Sequence, residues 1–124
     1  MTIHSINHVQ LGFPAAEQAQ LRHFYGTLLG LTEWRPSDGK TLRFHAGRQR
    51  VDLVPSESWT PPAALPHIAF EVQNLPGLRA KLLEAGHLLD ESRPLAGHLR
   101  FYVNDPAGNG LEFLEPHASE EGAL

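Results

Sequence analysis

The chain contains no cysteine, and with that residue go disulfide cross-links, thiolate nucleophiles and every cysteine-ligated zinc or iron–sulfur centre. It also has no excess of positive charge. Ten Lys and Arg stand against 14 Asp and Glu, a formal net charge of −4, so neither a nucleic-acid surface nor an acidic-membrane surface is expected. No apolar run approaches the roughly 20 residues that cross a bilayer. Glycine-rich phosphate cradles are missing as well. The opening Met1-Thr2-Ile3-His4-Ser5 lacks the charged-then-apolar pattern of a secretory signal, so a cytoplasmic setting is expected. What is present is 124 residues, 41% hydrophobic and 19% charged, enough for one packed domain over residues 1–116. Eight histidines remain, and where they fall along the chain is the main question.

Hydrophobic periodicity predicts a strand over Ile3–Leu11, with Ile6, His8 and Gln10 on one face and Asn7, Val9 and Leu11 on the other. A helix is expected from Ala15 to Leu29, because Leu21, Phe24, Tyr25 and Leu28 recur at helical spacing, and Gly30 supplies its stop. Strands follow over Leu31–Arg35, Thr41–Ala46 and Gln49–Val54, separated by turns at Ser37-Asp38-Gly39 and Ala46-Gly47-Arg48. Pro55–Pro66 carries four prolines and is expected to be a linker. The pattern then starts again. His67–Val72 reads as a strand, and Asn74 caps a helix with Pro76 in its first turn, presenting Leu75, Leu78, Leu82 and Ala85. Strands are expected near Leu88–Glu91, His98–Val103 and Gly110–Glu115, with a turn over Asp105-Pro106-Ala107-Gly108-Asn109. The fold class is therefore α+β, two tandem βαβββ modules over residues 3–54 and 67–115, joined by the linker 55–66. The modules are expected to form a curved, half-open barrel with helices on the convex side, and 117–124 a loose tail.

Strand alternation then sorts the polar residues. His8 and Gln10, Arg50 and Asp52, His67 and Glu71, His98, Arg100 and Tyr102, and Glu112 share faces opposite the apolar positions, as if lining a hollow. His8 precedes Asp52 by 44 residues and His67 precedes Glu112 by 45, so each module offers one imidazole and one carboxylate at matching places. His8, His67, Glu112 and Asp52 together suit one divalent transition metal, Fe, Ni, Mn, Co or Zn, with open positions for water or two substrate oxygens. The plainer reading stands beside this one. Each histidine can be a hydrogen-bonded core residue, Glu112 a rim carboxylate, and Asp52 the partner of Arg50 or Arg100. Gln10 and Arg100 are the substrate-binding candidates. Arg100 either orients an anionic substrate or pairs with Glu71. Glu71, His98 and Tyr102 are the catalytic candidates for proton transfer.

Ile6-Asn7-His8-Val9, Phe24-Tyr25 through Leu29-Gly30-Leu31, His67-Ile68-Ala69-Phe70-Glu71-Val72 and Asp105-Pro106-Ala107-Gly108-Asn109-Gly110-Leu111-Glu112 resemble the vicinal-oxygen-chelate superfamily over about residues 3–116. That superfamily holds glyoxalases, bleomycin- and fosfomycin-resistance proteins, extradiol dioxygenases and an acyl-CoA epimerase. The resemblance implies metal ligands at His8, His67 and Glu112. It puts the family's variable fourth position on Asp52, a carbon shorter than the Glu of glyoxalase I. It implies a metal-dependent enzyme acting on a small oxygen-rich molecule, with lyase or isomerase chemistry preferred and thiol transfer or dioxygenation as alternatives. A metal-free drug-sequestering protein of bleomycin-resistance type is the competing class. A homodimer is expected, with the modules pairing within one chain or swapping so that His8 shares a metal with Glu112 of the partner subunit.

Overall fold

Strand β4, Gln49–Ser56, is flanked on both sides, so Val51, Asp52 and Leu53 are buried in a row instead of alternating with solvent. The computed structural model describes residues 1–35 and 39–117, and it divides the chain into two compact units, Met1–Pro61 and Pro62–Leu124.

In the first unit β1, His8–Pro14, runs parallel to β4, while β3, Leu42–Ala46, and the short β2, Thr32–Glu33, complete a four-stranded sheet of order β1-β4-β3-β2. β1 starts later than its alternation predicts, at His8 instead of Ile3. His8 pairs with Arg50 next to the first residue of β4, so earlier residues have almost no strand left to pair with, and Ile3 and Ile6 are exposed. At its other end β1 outlasts the expectation, because β4 continues through Pro55 and Ser56 beside Phe13 and Pro14. The expected linker is shortened accordingly. Pro55 is tolerated there because β3 has already stopped pairing at Leu53, so one side of β4 needs no donor. Trp59, also assigned to the linker, lies against Gly12 so closely that a Cβ there would collide with the indole.

The helical segment follows its apolar stripe but not a uniform geometry. A 3-10 turn at Ala15–Glu17 leads into α1, Gln18–Arg22, and then into a π-helical stretch at His23–Leu28. Leu21, Phe24, Tyr25 and Leu28 are buried, as the period requires. The Leu29 amide donates to the Phe24 carbonyl, the Leu31 amide donates to Tyr25, and Gly30 takes the left-handed turn between them. These bonds consume Leu31, one reason β2 is two residues long and not five. Ser37 and Asp38 of the expected turn lie outside the described residues, as do 118–124 of the expected tail.

In the second unit β5, His67–Glu71, lies parallel to β7, Gly110–Pro116, and antiparallel β6, His98–Asn104, closes a sheet of order β5-β7-β6. The central strand again buries three in a row, Leu111, Glu112 and Phe113. The strand expected near Leu88–Glu91 reduces to one bridge between Asp90 and Tyr102. Asp90 accepts from the Ser92 amide and hydroxyl, which bends the chain out of the ladder, and Pro94 has no amide to offer it. Helix α2, Leu75–Glu84, is capped by Asn74, whose Oδ1 accepts from the Gly77 amide at 3.2 Å. A second device anchors it. The Glu115 carboxylate on β7 accepts from the Asn74 and Leu75 amides, each at 2.8 Å.

Candidate functional site

The two sheets carry the same pair of groups at the same register. Asp52 on central β4 stands opposite Gln10, two residues beyond His8; Glu112 on central β7 stands opposite Ala69, two residues beyond His67. Each imidazole is thus brought beside a buried carboxylate of its own unit by a parallel strand pair.

In the second unit the pair is closed. His67 Nε2 lies 2.9 Å from Glu112 Oε1. The ring's other nitrogen, Nδ1, donates to the Leu65 carbonyl at 2.9 Å, so in the neutral imidazole Nε2 carries the lone pair. Two acceptors then face each other, which is stable only with a cation shared between them: a proton or a metal ion. His67 Nε2 and Glu112 Oε1 are the atoms that would hold a first-row divalent ion, and at 2.9 Å they equally fit a shared proton. Arg100 Nη1 reaches the other carboxylate oxygen, Oε2, at 3.4 Å and leaves Oε1 to the histidine. Tyr102, opposite Glu112 on β6, packs its ring edge-on against His67 at 5.6 Å between centroids. The turn Asp105–Asn109 sets the start of β7. Asp105 Oδ1 accepts from the amides of Ala107 and Asn109, and Oδ2 accepts from the Asn109 side chain.

In the first unit the pair stands open. His8 shows the same ring orientation, with Nδ1 2.8 Å from the Asn7 side-chain oxygen, but its Nε2 is 3.9 Å from Asp52 Oδ2. Both Asp52 oxygens are taken by Arg50, Nε to Oδ1 at 2.7 Å and Nη2 to Oδ2 at 3.0 Å. Arg43 adds a second guanidinium at 3.8 Å. The Arg50 hydrogen bonds, more than any other cause, hold the Asp52 carboxyl below the ordinary value. Of the two partners expected for Asp52, then, Arg50 is the one present. Within either unit, among the described residues, no third imidazole or carboxylate joins the pair to complete a metal centre.

The remaining candidates divide by their place on the sheets. Tyr102 is beside His67 and Glu112. Glu71 and His98 are not: each sits four residues along its strand from His67 or Tyr102, about 13 Å at strand rise. Glu71 instead lines a cleft of 440 Å³ with Val72, Gln73, Glu115 and Pro116, and His98 Nδ1 contacts the Ala96 carbonyl at 3.1 Å. Arg100 turns to Glu112 and to the Arg93 carbonyl and does not pair with Glu71. Gln10 is exposed on β1 opposite Asp52. Two residues were not anticipated. Arg93 stacks its guanidinium 3.6 Å over the Tyr102 ring, and Glu115 anchors α2; both act across sequence gaps that no periodicity signals.

With this geometry in view, the profile of the Glyoxalase/Bleomycin resistance protein/Dioxygenase superfamily matches residues 5–113. The chain belongs to that superfamily. Among solved structures, a protein from Bacillus anthracis assigned to the glyoxalase family is 28% identical, covering 94% of this chain and 98% of its own, with a TM-score of 0.84. The lactoylglutathione lyase of Agrobacterium tumefaciens is 21% identical over 93% of this chain and 96% of its own, with a TM-score of 0.72. The genomically encoded fosfomycin resistance protein FosX of Listeria monocytogenes is 17% identical over 96% and 98%, with a TM-score of 0.78. The last two share the fold at identities too low to carry a reaction across. Comparison with curated proteins finds no match.

Proposed function

We propose that this superfamily member is a metal-dependent enzyme in which His67, Glu112 and His8 hold one divalent transition metal and a small oxygen-rich substrate takes the open positions. The observation that supports it is the approach of two acceptors, His67 Nε2 and Glu112 Oε1, to 2.9 Å with the tautomer set by the Leu65 carbonyl. A bound divalent ion supplies Lewis acidity, stabilising negative charge that develops on substrate oxygens. The protein's own groups do the rest. The Leu65 carbonyl holds the imidazole in register, and Arg100 restrains one Glu112 oxygen so that the other stays directed at the site. Tyr102, packed against His67, is the group assigned to move a proton at its phenolic oxygen. Proton transfer beside a carbonyl is lyase or isomerase chemistry, and that is the reaction class preferred here. Thiol transfer and dioxygenation would use the same ligands. The reading includes a cytoplasmic homodimer; for membranes, no described helix is long and apolar enough to cross one.

Metal quantification on the purified protein and on His67→Ala tests it, followed by a panel of small hydroxy- and oxo-carbonyl compounds. About one equivalent per chain in the wild type and a near-complete loss in the variant are expected. A wild type that takes up none of the five metals overturns the proposal. One observation favours a second reading. Each carboxylate already has a guanidinium on it, Arg50 on Asp52 and Arg100 on Glu112, as suits a metal-free pocket that sequesters a drug. Binding of a planar cationic ligand by metal-free protein would select that reading.

A further inference from the structure

We infer that Arg50 withholds Asp52 from the metal, so that the first unit contributes His8 alone and a coordination position is left to substrate. This rests on the metal-binding reading above. The register identifies Arg50 as the counterpart of Gly110: each lies two residues before the central-strand carboxylate and opposite the histidine of the parallel strand, His8 for Arg50 and His67 for Gly110. In the second unit that position has no side chain, and the imidazole closes on the carboxylate at 2.9 Å. In the first it carries a guanidinium, and the imidazole stands off at 3.9 Å.

The guanidinium is held from both sides. One edge makes the bidentate contact to Asp52, and its carbon lies 5.0 Å from the centre of the Trp34 ring. Asp52 is 6% exposed, so water cannot easily replace those bonds while a metal takes the oxygens. Asp52 is also one methylene shorter than the Glu112 it corresponds to, which keeps it at the strand and within the fork of Arg50. Arg50 is accordingly a positioning residue. It acts on the ion by occupying the carboxylate that would otherwise complete a symmetric four-ligand set.

Cobalt-loaded protein tests this with a readout independent of turnover, the visible ligand-field spectrum, alongside metal affinity by chelator competition. Asp52→Asn is expected to keep the wild-type spectrum and an affinity within about threefold. Arg50→Ala is expected to raise affinity about tenfold or more and change the spectrum as a ligand is added, and the double variant Arg50→Ala/Asp52→Asn to return both to wild type. Arg50→Gln, which keeps bulk without an ion pair, repeats the test should Arg50→Ala fail to fold. A wild type that binds no cobalt overturns both this inference and the enzyme proposal. A cobalt-binding wild type overturns this inference alone if Asp52→Asn alters the spectrum, or if both Arg50 variants leave spectrum and affinity unchanged.

Discussion

The two units repeat the register of one parallel strand pair and differ, among other places, at the residue two before the carboxylate. Each has a central strand with a buried carboxylate third in its run of pairing, and each has a parallel neighbour opening on a histidine whose Nδ1 is already engaged. Arg50 in one and Gly110 in the other then separate their chemistry. Arg50 holds both Asp52 oxygens and the first pair stands at 3.9 Å, whereas Gly110 offers no side chain, Arg100 reaches one Glu112 oxygen only, and the second pair stands at 2.9 Å. Duplication of a sheet therefore duplicates positions, not functions. On the proposed reading, the residue beside the pair decides which copy keeps its carboxylate for a metal.

Transplanting the difference gives the largest expected effect. Gly110→Arg puts a guanidinium beside Glu112 as Arg50 is beside Asp52, and bound metal should fall to the level of Glu112→Gln on direct quantification. Gly110→Ala controls for crowding, since a Cβ there comes within 3.2 Å of the Pro66 carbonyl. Metal retained by Gly110→Arg would mean that the neighbouring residue does not decide the matter. A smaller effect should follow from the helix entries. The first unit's helix begins with no side-chain cap, whereas α2 is fastened by Asn74 and by Glu115 from β7. Glu115→Gln should cost about 1–3 kcal/mol in urea unfolding, with faster amide exchange over residues 74–84 and none in Met1–Pro61. Equal loosening of both units would show that they are not separately anchored.

The smallest effect is a titration at the bridge that stands where a fourth strand is missing. Asp90 is held below its ordinary value of 3.8, chiefly by the Ser92 hydroxyl and amide and then by Arg93. A depressed carboxylate contributes its stabilisation above the unfolded value and loses it as pH falls through the folded one. The Ser92 amide resonance should therefore shift with a midpoint below 3.8, and Ser92→Ala should move the Asp90 midpoint back up towards that value. A midpoint unmoved by Ser92→Ala would remove the hydroxyl from the explanation.

Much of this arrangement was legible before any coordinates. Buried Leu21, Phe24, Tyr25 and Leu28 follow the helical period, and Val51, Leu53, Phe101, Val103, Leu111 and Phe113 take the faces that alternation assigns them. The near-equal spacings of 44 and 45 residues placed one imidazole and one carboxylate at matching positions of each module, while their approach within each unit came from the parallel strand pairs. Strand ends were less legible. Ile3–Asn7 alternates well enough, but a strand extends only as far as its neighbour does, and β4 begins at Gln49. Leu88–Glu91 shrank to a bridge: the Asp90 backbone exchanges bonds with Tyr102, but its side chain accepts from Ser92 and the chain bends away directly after. The set Glu71, His98 and Tyr102 shared a face in sequence, yet distance along the strands leaves only Tyr102 beside the His67–Glu112 pair.

By itself the sequence determined which residue types lie on which face and how far apart they recur, because those are properties of local periodicity. Tertiary structure alone decided which carboxylate Arg100 reaches, which helix a distant glutamate caps and where each strand stops. Those outcomes depend on which side chains meet across strands remote in the chain, and contact of that kind has no local signature.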